Sequence, residues 1–357
     1  MDIYVYDTNF KMIGVLDIYY SLLWNVKYCG YGDFTLGVPD TKDITDLLKE
    51  DYYLGIPNSD RLMIIEKLEP NTDIIDGNSI KVSGRSLESI LTRRIIWEQT
   101  VISGNFQNAI HTLLNNEIIT PTIAEREIEN FIFIESSDET ITNLTIDETQ
   151  FTGDRLYDVI VTLCNKFKIG YKITINDQNQ LVFMLIAGKD RSPNQIVNPI
   201  IEFSIKNDNL ISSKYTIDKR NYCNVTLIAG EGEGTERRTA TYGEASGINR
   251  RELYTDARDI SSNSDSDNPI PASDYENMLI ERGKNNLKEQ KIIHEFDTEV
   301  NSDNNTIYQF NKDYFLGDLV EFVDAQGRES INRITEITTT ITEDEQSTYP
   351  IFEYEEE

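Results

Sequence analysis

Histidine and cysteine, the side chains on which many catalytic and metal sites depend, are scarce in this sequence. Its 357 residues include only His111, His294, Cys29, Cys164 and Cys223. A structural zinc site needs paired cysteine or histidine ligands at short spacing, and none of these five residues lies near another in the sequence. Three widely separated cysteines among apolar neighbours favour buried small hydrophobic residues over a disulfide or a reactive thiol.

Catalytic motifs are missing as well. The sequence has no GxSxG, HExxH or CxxC motif, and Thr298 stands where an HExxH starting at His294 needs its second histidine. His111 is expected in the middle of a helix, and His294 at the end of one, where a positive charge suits the helix dipole. A glycosidase pair cannot be located by inspection among 62 acidic residues. We therefore predict no catalytic, cofactor-binding or metal-binding residues.

Two short motifs resemble ligand-binding loops but depart from them. GEGEG at residues 230–234 matches neither GxGxxG nor GxxxxGK[ST], and its glutamates would repel a phosphate, so we expect a flexible glycine hairpin or gate. DSD at residues 265–267 resembles the start of a calcium loop with Glu276 at its twelfth position. Ile270 stands where that loop needs glycine, so a solvated loop is expected instead.

Long hydrophobic runs are absent. No stretch approaches the ~18 apolar residues that a membrane helix needs. The first ten residues, MDIYVYDTNF, lack the basic and apolar regions of a secretory signal. We therefore expect no membrane-spanning segment and folding in a cytoplasm.

Basic residues are few relative to acidic ones. The sequence has 33 lysines and arginines against 62 aspartates and glutamates, which gives a net charge of −29. Residues 301–357 alone carry 14 acids and three bases. Clustered basic side chains bind the phosphates of nucleic acids and the headgroups of anionic lipids, so this balance argues against both partners.

Three adjacent arginine pairs stand out in so acidic a sequence, at residues 93–94, 237–238 and 250–251. Neighbouring residues of one strand point to opposite faces, so such pairs form a poor basic patch. We predict instead that they form salt bridges within or between subunits.

Short strands dominate the predicted secondary structure. Near the start apolar residues alternate with tyrosines, and a glycine-linked hairpin is predicted around residues 24–38. Apolar spacing predicts helices at residues 106–118 and 156–167. A capping box at residues 273–276 predicts a third helix that runs to about His294. The pattern indicates a mainly β fold with α+β insertions.

Five stretches in order along nearly the whole chain share a likeness to one family. They are GYGDFTL (30–36), VSGRSL (82–87), NVTLIAGEGEG (224–234), NRRELYTDAR (249–258) and YFLGDLV (314–320). Together they resemble the tail-tip or baseplate hub proteins of long-tailed phages, chiefly the siphophage hubs and also the hubs of contractile tails. The order of the stretches makes the resemblance more specific than any single motif.

The resemblance implies a fold of two tube-type β-barrel domains with helix-containing insertion domains, as in phage baseplate hubs. The first barrel is expected at residues 1–97 and an α+β insertion at 98–200. The second barrel would join residues 201–230 with 296–357, around a loop and helix insertion at 231–295. Three subunits would then present six barrels and match a sixfold tail tube.

The resemblance also implies a function. The chain would be a structural virion protein, a homotrimeric hub that closes the tail tube, adapts sixfold to threefold symmetry and nucleates the baseplate or tip. The expected partners are the tail tube or distal tail protein, the tape-measure protein and other baseplate or receptor-binding proteins, with no cofactor. Acidic side chains around the lumen would let DNA pass without binding.

The resemblance further implies that the protein sits at the tail tip of the virion and is assembled in the host cytoplasm. Because the chain stops at Glu357, a bare hub without an appended wall-degrading module is expected. Two alternatives stay open. One is a tail-associated cell-wall hydrolase, either a glycosidase or a peptidase, and the other is the hub of a phage-tail-like contractile injection particle.

Overall fold

The computed structural model describes residues 1–57, 59–75, 77–262, 270–300, 307–342 and 346–355. The chain divides into two compact units, of which the first combines Met1–Ser213 with Asp297–Glu357 and the second is Lys214–Phe296. Strands predominate, and helices lie in segments inserted between them, which confirms the predicted mainly β class with α+β insertions. Within the described residues, no helix has the length and apolar character needed to cross a membrane.

The N-terminal part of the first unit consists mostly of antiparallel strands. Its sequence alternates apolar and polar residues, so that Leu22 and Trp24 of one strand and Phe34 and Leu36 of the next are buried on the same side of the pleat. A short helix, α1 (Lys42–Leu47), interrupts the series. The strands are β1 (Ile3–Tyr6), β2 (Met12–Leu16), β3 (Ser21–Lys27), β4 (Asp33–Pro39), β5 (Tyr53–Gly55), β6 (Met63–Asn71) and β7 (Ser79–Ser86).

An α+β segment follows a 3-10 helix at Leu87–Arg93. Strand β12 pairs with β11 in an antiparallel hairpin and with β9 in parallel. The helices predicted at residues 106–118 and 156–167 are confirmed, the first as α2 continued by a π-helical turn at Asn115–Ile119. The elements are β8 (Thr100–Asn105), α2 (Phe106–Leu114), β9 (Phe131–Ile134), α3 (Glu139–Thr142), β10 (Thr145–Phe151), α4 (Leu156–Lys166), β11 (Gly170–Ile175) and β12 (Leu181–Ile186).

The second unit contains a three-stranded sheet packed against one long helix. Strand β15 pairs with β16 in antiparallel and with β17 in parallel orientation. Tyr275 and Leu279 of the helix pack with Ile228 of the sheet, where Gly283 leaves the room that a side chain would take. Strand β13 (Glu202–Ser204) still belongs to the first unit, and β14 (Leu210–Asp218) and β18 (Ile293–Val300) each cross a boundary between the units. The elements wholly inside the second unit are β15 (Val225–Ala229), β16 (Thr239–Tyr242), β17 (Glu252–Asp256) and α5 (Ala272–Glu289).

Three last strands, β19 (Leu319–Val323), β20 (Glu329–Thr342) and β21 (Gln346–Tyr354), complete the first unit. They join one eleven-stranded sheet in the order β13-β19-β20-β3-β4-β7-β6-β5-β1-β2, with β21 paired to β20. Strand β20 lies antiparallel to β3, with Glu336 opposite Lys27 and Thr342 opposite Ser21. Strands from both ends of the chain therefore share a single sheet. The division into two tube barrels at the expected boundaries stays a prediction.

Two local predictions are wrong at the helix of the second unit. Helix α5 begins directly after Pro271, a residue suited to a helix start, so Ser273 lies inside the first turn and its hydroxyl donates to the Asp274 carboxylate at 3.3 Å instead of capping. The helix also ends before His294, which lies in β18. The calcium-like motif at residues 265–267 lies outside the described residues.

Candidate functional site

Tyr28 is the point at which three distant parts of the first unit meet. Its hydroxyl lies 3.1 Å from the carbonyl oxygen of Lys168 and 3.0 Å from that of Ile186, and it accepts a hydrogen bond from the amide of Gly188 at 3.0 Å. Burial raises the pKa of Tyr28, an effect that the Gly188 amide and nearby Arg333 only partly offset. The tyrosine thus stays neutral and joins the N-terminal sheet to the α+β segment.

Glycines make room for the Tyr28 ring. A Cβ atom on Gly170 would lie 2.4 Å from the ring, and one on Gly317 would lie 2.1 Å from it. Gly317 also has a φ of +90°, which other residues rarely adopt. A Cβ on Gly188 would meet the carbonyl oxygen of Gly317 at 1.7 Å. The three glycines let backbone from residues 170, 188 and 317 converge on one side chain.

A cavity of about 780 Å³ lies in the first unit. Its walls come from strands β3, β20 and β21, the end of β12, and the segments around residues 56–61 and 308–318. Its lining is rich in large apolar and aromatic side chains, among them Trp24, Ile56, Tyr308, Phe310, Tyr314 and Phe315. A volume between about 300 and 1,000 Å³ is typical of pockets that bind small molecules.

Three of the charged residues in the cavity lining form ion pairs. Lys172 and Asp60 form an ion pair, and the buried Arg61 next to them pairs with Glu88. Burial opposes the charged form of Asp60, but the charge of Arg61 and the hydrogen bond from Lys172 outweigh burial and lower the pKa of its carboxyl. These pairs fix the rim of the cavity without leaving a buried charge unbalanced.

One buried donor at the cavity has no acceptor. Trp24 is only 2% exposed, and its indole N–H has no hydrogen-bond partner among the described residues. Buried polar groups normally find a partner, so an unpaired indole N–H is unusual. Burial also raises the pKa of Tyr314, with a smaller effect from Asp313. The cavity therefore has several aromatic residues in its lining, while the unpaired N–H of Trp24 is itself closed off from solvent.

The histidines and cysteines do not gather at this cavity. His111 stacks on Phe133 in the α+β segment, with ring centroids 4.8 Å apart. Cys164 is fully buried there, and burial followed by its contact with Cys29 raises the pKa of its thiol. All three thiols are free, although Cys29 and Cys223 are only half-buried. In the parts of the chain that the structure describes, no group of three or more histidine, cysteine or acidic side chains could hold a metal ion.

The glycine-rich motif forms the predicted hairpin. Gly230 donates to the carbonyl of Arg238 at 2.9 Å, and the amide of Arg238 donates back to Glu231 at 3.0 Å. The Glu231 carboxylate accepts from the amide of Ser262 at 2.8 Å, so it is engaged by the protein itself. The motif therefore closes the β15–β16 connection.

The predicted salt bridges of the arginine pairs are found at one residue among those described. Arg250 pairs with Glu252, Nε to Oε1, at 2.5 Å. The other contacts are made to backbone carbonyls or rings: Arg94 donates to the carbonyl of Arg126, and Arg237 donates to the hydroxyl of Tyr254. Within the described chain these arginines therefore form no salt bridge, and salt bridges between subunits stay a prediction.

Tyr28, its glycines and the cavity were not found from the sequence. Each lies between segments that are more than a hundred residues apart in the sequence. The spacing of residues within one segment does not predict contacts between segments so far apart. The one available signal was Gly317, which lies within the resemblance stretch 314–320 and makes room for the Tyr28 ring.

Comparison with known proteins gives one family and one fold. The family model described as Siphovirus ReqiPepy6 Gp37-like protein matches residues 2–352. No curated protein sequence matches significantly. A tail protein from Neisseria meningitidis MC58 is 11% identical with a TM-score of 0.58, covering 99% of this chain and 96% of its own. The 43 kDa tail protein of prophage MuSo2 from Shewanella oneidensis is 11% identical with a TM-score of 0.60, covering 99% and 98%.

A third solved structure, the prophage tail protein gp18 from Listeria monocytogenes EGD-e, is 15% identical with a TM-score of 0.52 and covers 98% of this chain and 94% of its own. At such low identity the three structures show a shared fold over the full length. The likeness to phage tail proteins noted in the sequence is thereby confirmed. This chain has the fold of phage tail proteins, and it belongs to the Siphovirus ReqiPepy6 Gp37-like protein family.

Proposed function

We propose that this chain is the hub of a phage tail: a homotrimer that closes the tail tube, adapts sixfold to threefold symmetry and nucleates the baseplate or tip. The observation that carries the proposal is the family match over residues 2–352. It is supported by a fold shared with tail proteins over at least 98% of the chain. A member that uses its full length for a tail fold is suited to a structural role.

In this proposal the two tube barrels are residues 1–97 and residues 201–230 with 296–357. The insertions are residues 98–200 and 231–295. Three copies then offer six barrels to a sixfold tube, and a heterologous contact repeated around a closed ring fixes the diameter. The partners are the tail tube or distal tail protein on one side, the tape-measure protein, and baseplate or receptor-binding proteins on the other.

The acidic composition suits a channel for DNA. With a net charge of −29, a lumen lined by this chain repels phosphates, so the genome passes without sticking. The C-terminal part contributes most per residue, including exposed Glu329 and Glu353. In the virion these side chains would face the channel or its opening.

Mass measurement of the purified protein tests the trimer. We expect a species of three times 41.1 kDa at micromolar concentration and ring-shaped particles in electron micrographs. A single copy that persists at all concentrations would contradict the hub.

Charge reversal tests the channel. Phage assembled with Glu329→Lys and Glu353→Lys should eject DNA more slowly, because lysines bind the passing phosphates. The matched control reverses two exposed acids of the second unit, with Glu233→Lys and Glu244→Lys. Equal ejection rates in the two phages would contradict a role of the C-terminal acids in the channel.

A further inference from the structure

Two of the three cysteines lie side by side in the first unit. Cys164 belongs to the buried core of the α+β segment, and Cys29 packs against that core. The thiol of Cys164 interacts with that of Cys29, and both thiols are free in the structure. The two residues are more than a hundred positions apart in the sequence, so the fold alone makes them neighbours.

Contacts with helix α4 fix the position of Cys29. The residue lies in the connection between β3 and β4, which runs beside this helix. A Cβ atom on Gly30 would lie 2.7 Å from the hydroxyl of Tyr157 and 4.0 Å from the side chain of Val161. The Cys29 thiol donates to the carbonyl of Val161 at 3.8 Å. Cys164 follows Val161 by three residues, and residues at that spacing share one face of a helix.

Only one of the two thiols is open to a reagent from solvent. Cys29 is half-buried, whereas Cys164 is 0% exposed. Burial raises the pKa of the Cys164 thiol, and the contact with Cys29 raises it further. Because the thiolate is the reactive form of cysteine, Cys29 is the residue that reacts first.

Cys223 provides a natural comparison within the same chain. It is half-buried like Cys29, and its thiol donates to the carbonyl of Glu252 at 3.7 Å. The structure describes no contact between Cys223 and another cysteine. The two half-buried thiols therefore have similar surroundings, but only Cys29 has a second thiol beside it.

We propose that Cys29 and Cys164 form an oxidation site at which a peroxide produces an intramolecular disulfide. The Cys29 thiolate attacks hydrogen peroxide and breaks its O–O bond, which leaves a sulfenic acid on Cys29 and releases hydroxide. The Cys164 sulfur then attacks the Cys29 sulfur. The hydroxyl group of the sulfenic acid departs with the Cys164 proton as water, so the two sulfurs lose the two electrons that the peroxide gains.

The position of Cys164 favours the second step. Because its thiol is held beside Cys29, the two sulfurs react within one molecule, and Cys164 need not reach solvent. The bond ties the β3–β4 connection to α4 and closes a loop of more than a hundred residues, which restricts the unfolded chain. A cytoplasm keeps thiols reduced, so we expect the bond to form once the protein meets an oxidising environment. The site is independent of the trimer.

The test treats the native full-length protein with hydrogen peroxide, with and without dimedone, which traps sulfenic acids. Peptide mapping without reductant should show one pair of peptides joined through Cys29 and Cys164, lighter by two hydrogen atoms than the separate peptides. Cys223 should react with dimedone instead of forming a link. The thermal midpoint should rise by about 5 °C and return to its first value after reduction.

Variants separate the roles of the two thiols. Cys164→Ala leaves Cys29 without its partner, so dimedone should now label Cys29, and peroxide should not raise the thermal midpoint. The matched control is Cys223→Ala, which should form the disulfide as the unaltered chain does. Cys29→Ser, at the half-buried position, should form no link, and it keeps the buried Cys164 in place. Circular dichroism before oxidation checks that each variant is folded.

Three results would overturn the proposal. One is separate oxidation of Cys29 and Cys164 in the native protein without a link between them. Another is a link from Cys223 to either cysteine that is as frequent as the link between Cys29 and Cys164, as expected for a chain oxidised while unfolded in urea. The third is a Cys29 that stays unmodified at peroxide concentrations that oxidise Cys223.

Discussion

Arg61 and Glu88 form an ion pair that is almost wholly buried, with 4% and 1% of their surfaces exposed. Glu88 also accepts a hydrogen bond from the amide of Ile173 at 3.0 Å, so it joins the N-terminal sheet to the α+β segment. A buried pair of this kind is costly to break, because one partner is left charged without compensation.

Glu88→Ala should lower the free energy of unfolding by about 3 kcal/mol, because the buried Arg61 guanidinium then keeps only the more exposed Asp60 carboxylate, 3.6 Å from its Nε. The apolar double variant Arg61→Met with Glu88→Leu should lose much less. The control is Glu66→Ala, which removes the half-exposed partner of Arg85 and should cost ~1 kcal/mol or less. Urea unfolding measures all three, and equal losses in Glu88→Ala and Glu66→Ala would contradict the role of burial.

Gly317→Ala should lower stability by more than ~3 kcal/mol. Its new Cβ would be strained at a φ of +90° and would also press on the Tyr28 ring. Gly77→Ala is the matched control, since Gly77 has a φ of +83° with nothing within 4 Å of its new Cβ, and it should cost only about 1–2 kcal/mol. A similar loss at the two sites would show that the packing around Tyr28 does not matter.

Glu321→Gln should raise the free energy of unfolding at pH 7 by ~1 kcal/mol. Burial first, and then the nearby Glu329 and Glu202, raise the pKa of Glu321 above its ordinary 4.5. A carboxyl with a raised pKa favours the folded state below pH 4.5 and loses that contribution as the pH rises. At pH 7 its negative charge therefore destabilises the folded state. The gain should vanish at pH 4, whereas Glu353→Gln, at an exposed site, should change stability at neither pH.

Alkaline pH should destabilise the first unit through its buried tyrosines. Burial raises the pKa of Tyr157 to about 12, and burial also raises the pKa values of Tyr28 and Tyr171. The unfolded chain ionises near pH 10, so this stabilisation is complete below pH 10 and is lost as the pH rises toward 12. Ultraviolet titration should show a late tyrosinate phase that coincides with unfolding and shrinks in Tyr157→Phe. A single tyrosinate phase near pH 10 would contradict the predicted contribution of the buried tyrosines.

Local patterns in the sequence predicted local structure well. Alternating apolar residues predicted the hairpin of β3 and β4, apolar spacing predicted α2 and α4, and the glycines at 230–234 predicted a hairpin. The predicted capping box at residues 273–276 is wrong because helix α5 begins earlier, directly after Pro271. The proline and the capping box were two competing sequence signals for the start of the same helix. Among the arginine pairs, Arg250 forms the predicted salt bridge within the described chain, and salt bridges between subunits stay a prediction.

The candidate site was beyond reach of such patterns. Tyr28 meets Gly188 across 160 residues, and the wall of the cavity that holds Trp24 is completed by β20, more than 300 residues later. Apolar content and spacing predict that these residues are buried, but they do not predict which residues pack against them. The proposed function came from the resemblance to tail proteins. The order of similar stretches along a chain can be recognised in a sequence even where the contacts between them cannot be predicted.

The pairing of β3 with β20 sets the order of events during synthesis. Residues 21–27 leave the ribosome early, yet the strand they pair with is complete only when residue 342 has been made. The interior of the largest sheet must wait for most of the chain, and pairings at such separation form slowly. A chain that lacks residues 329–342 would leave one edge of β3 without its partner strand.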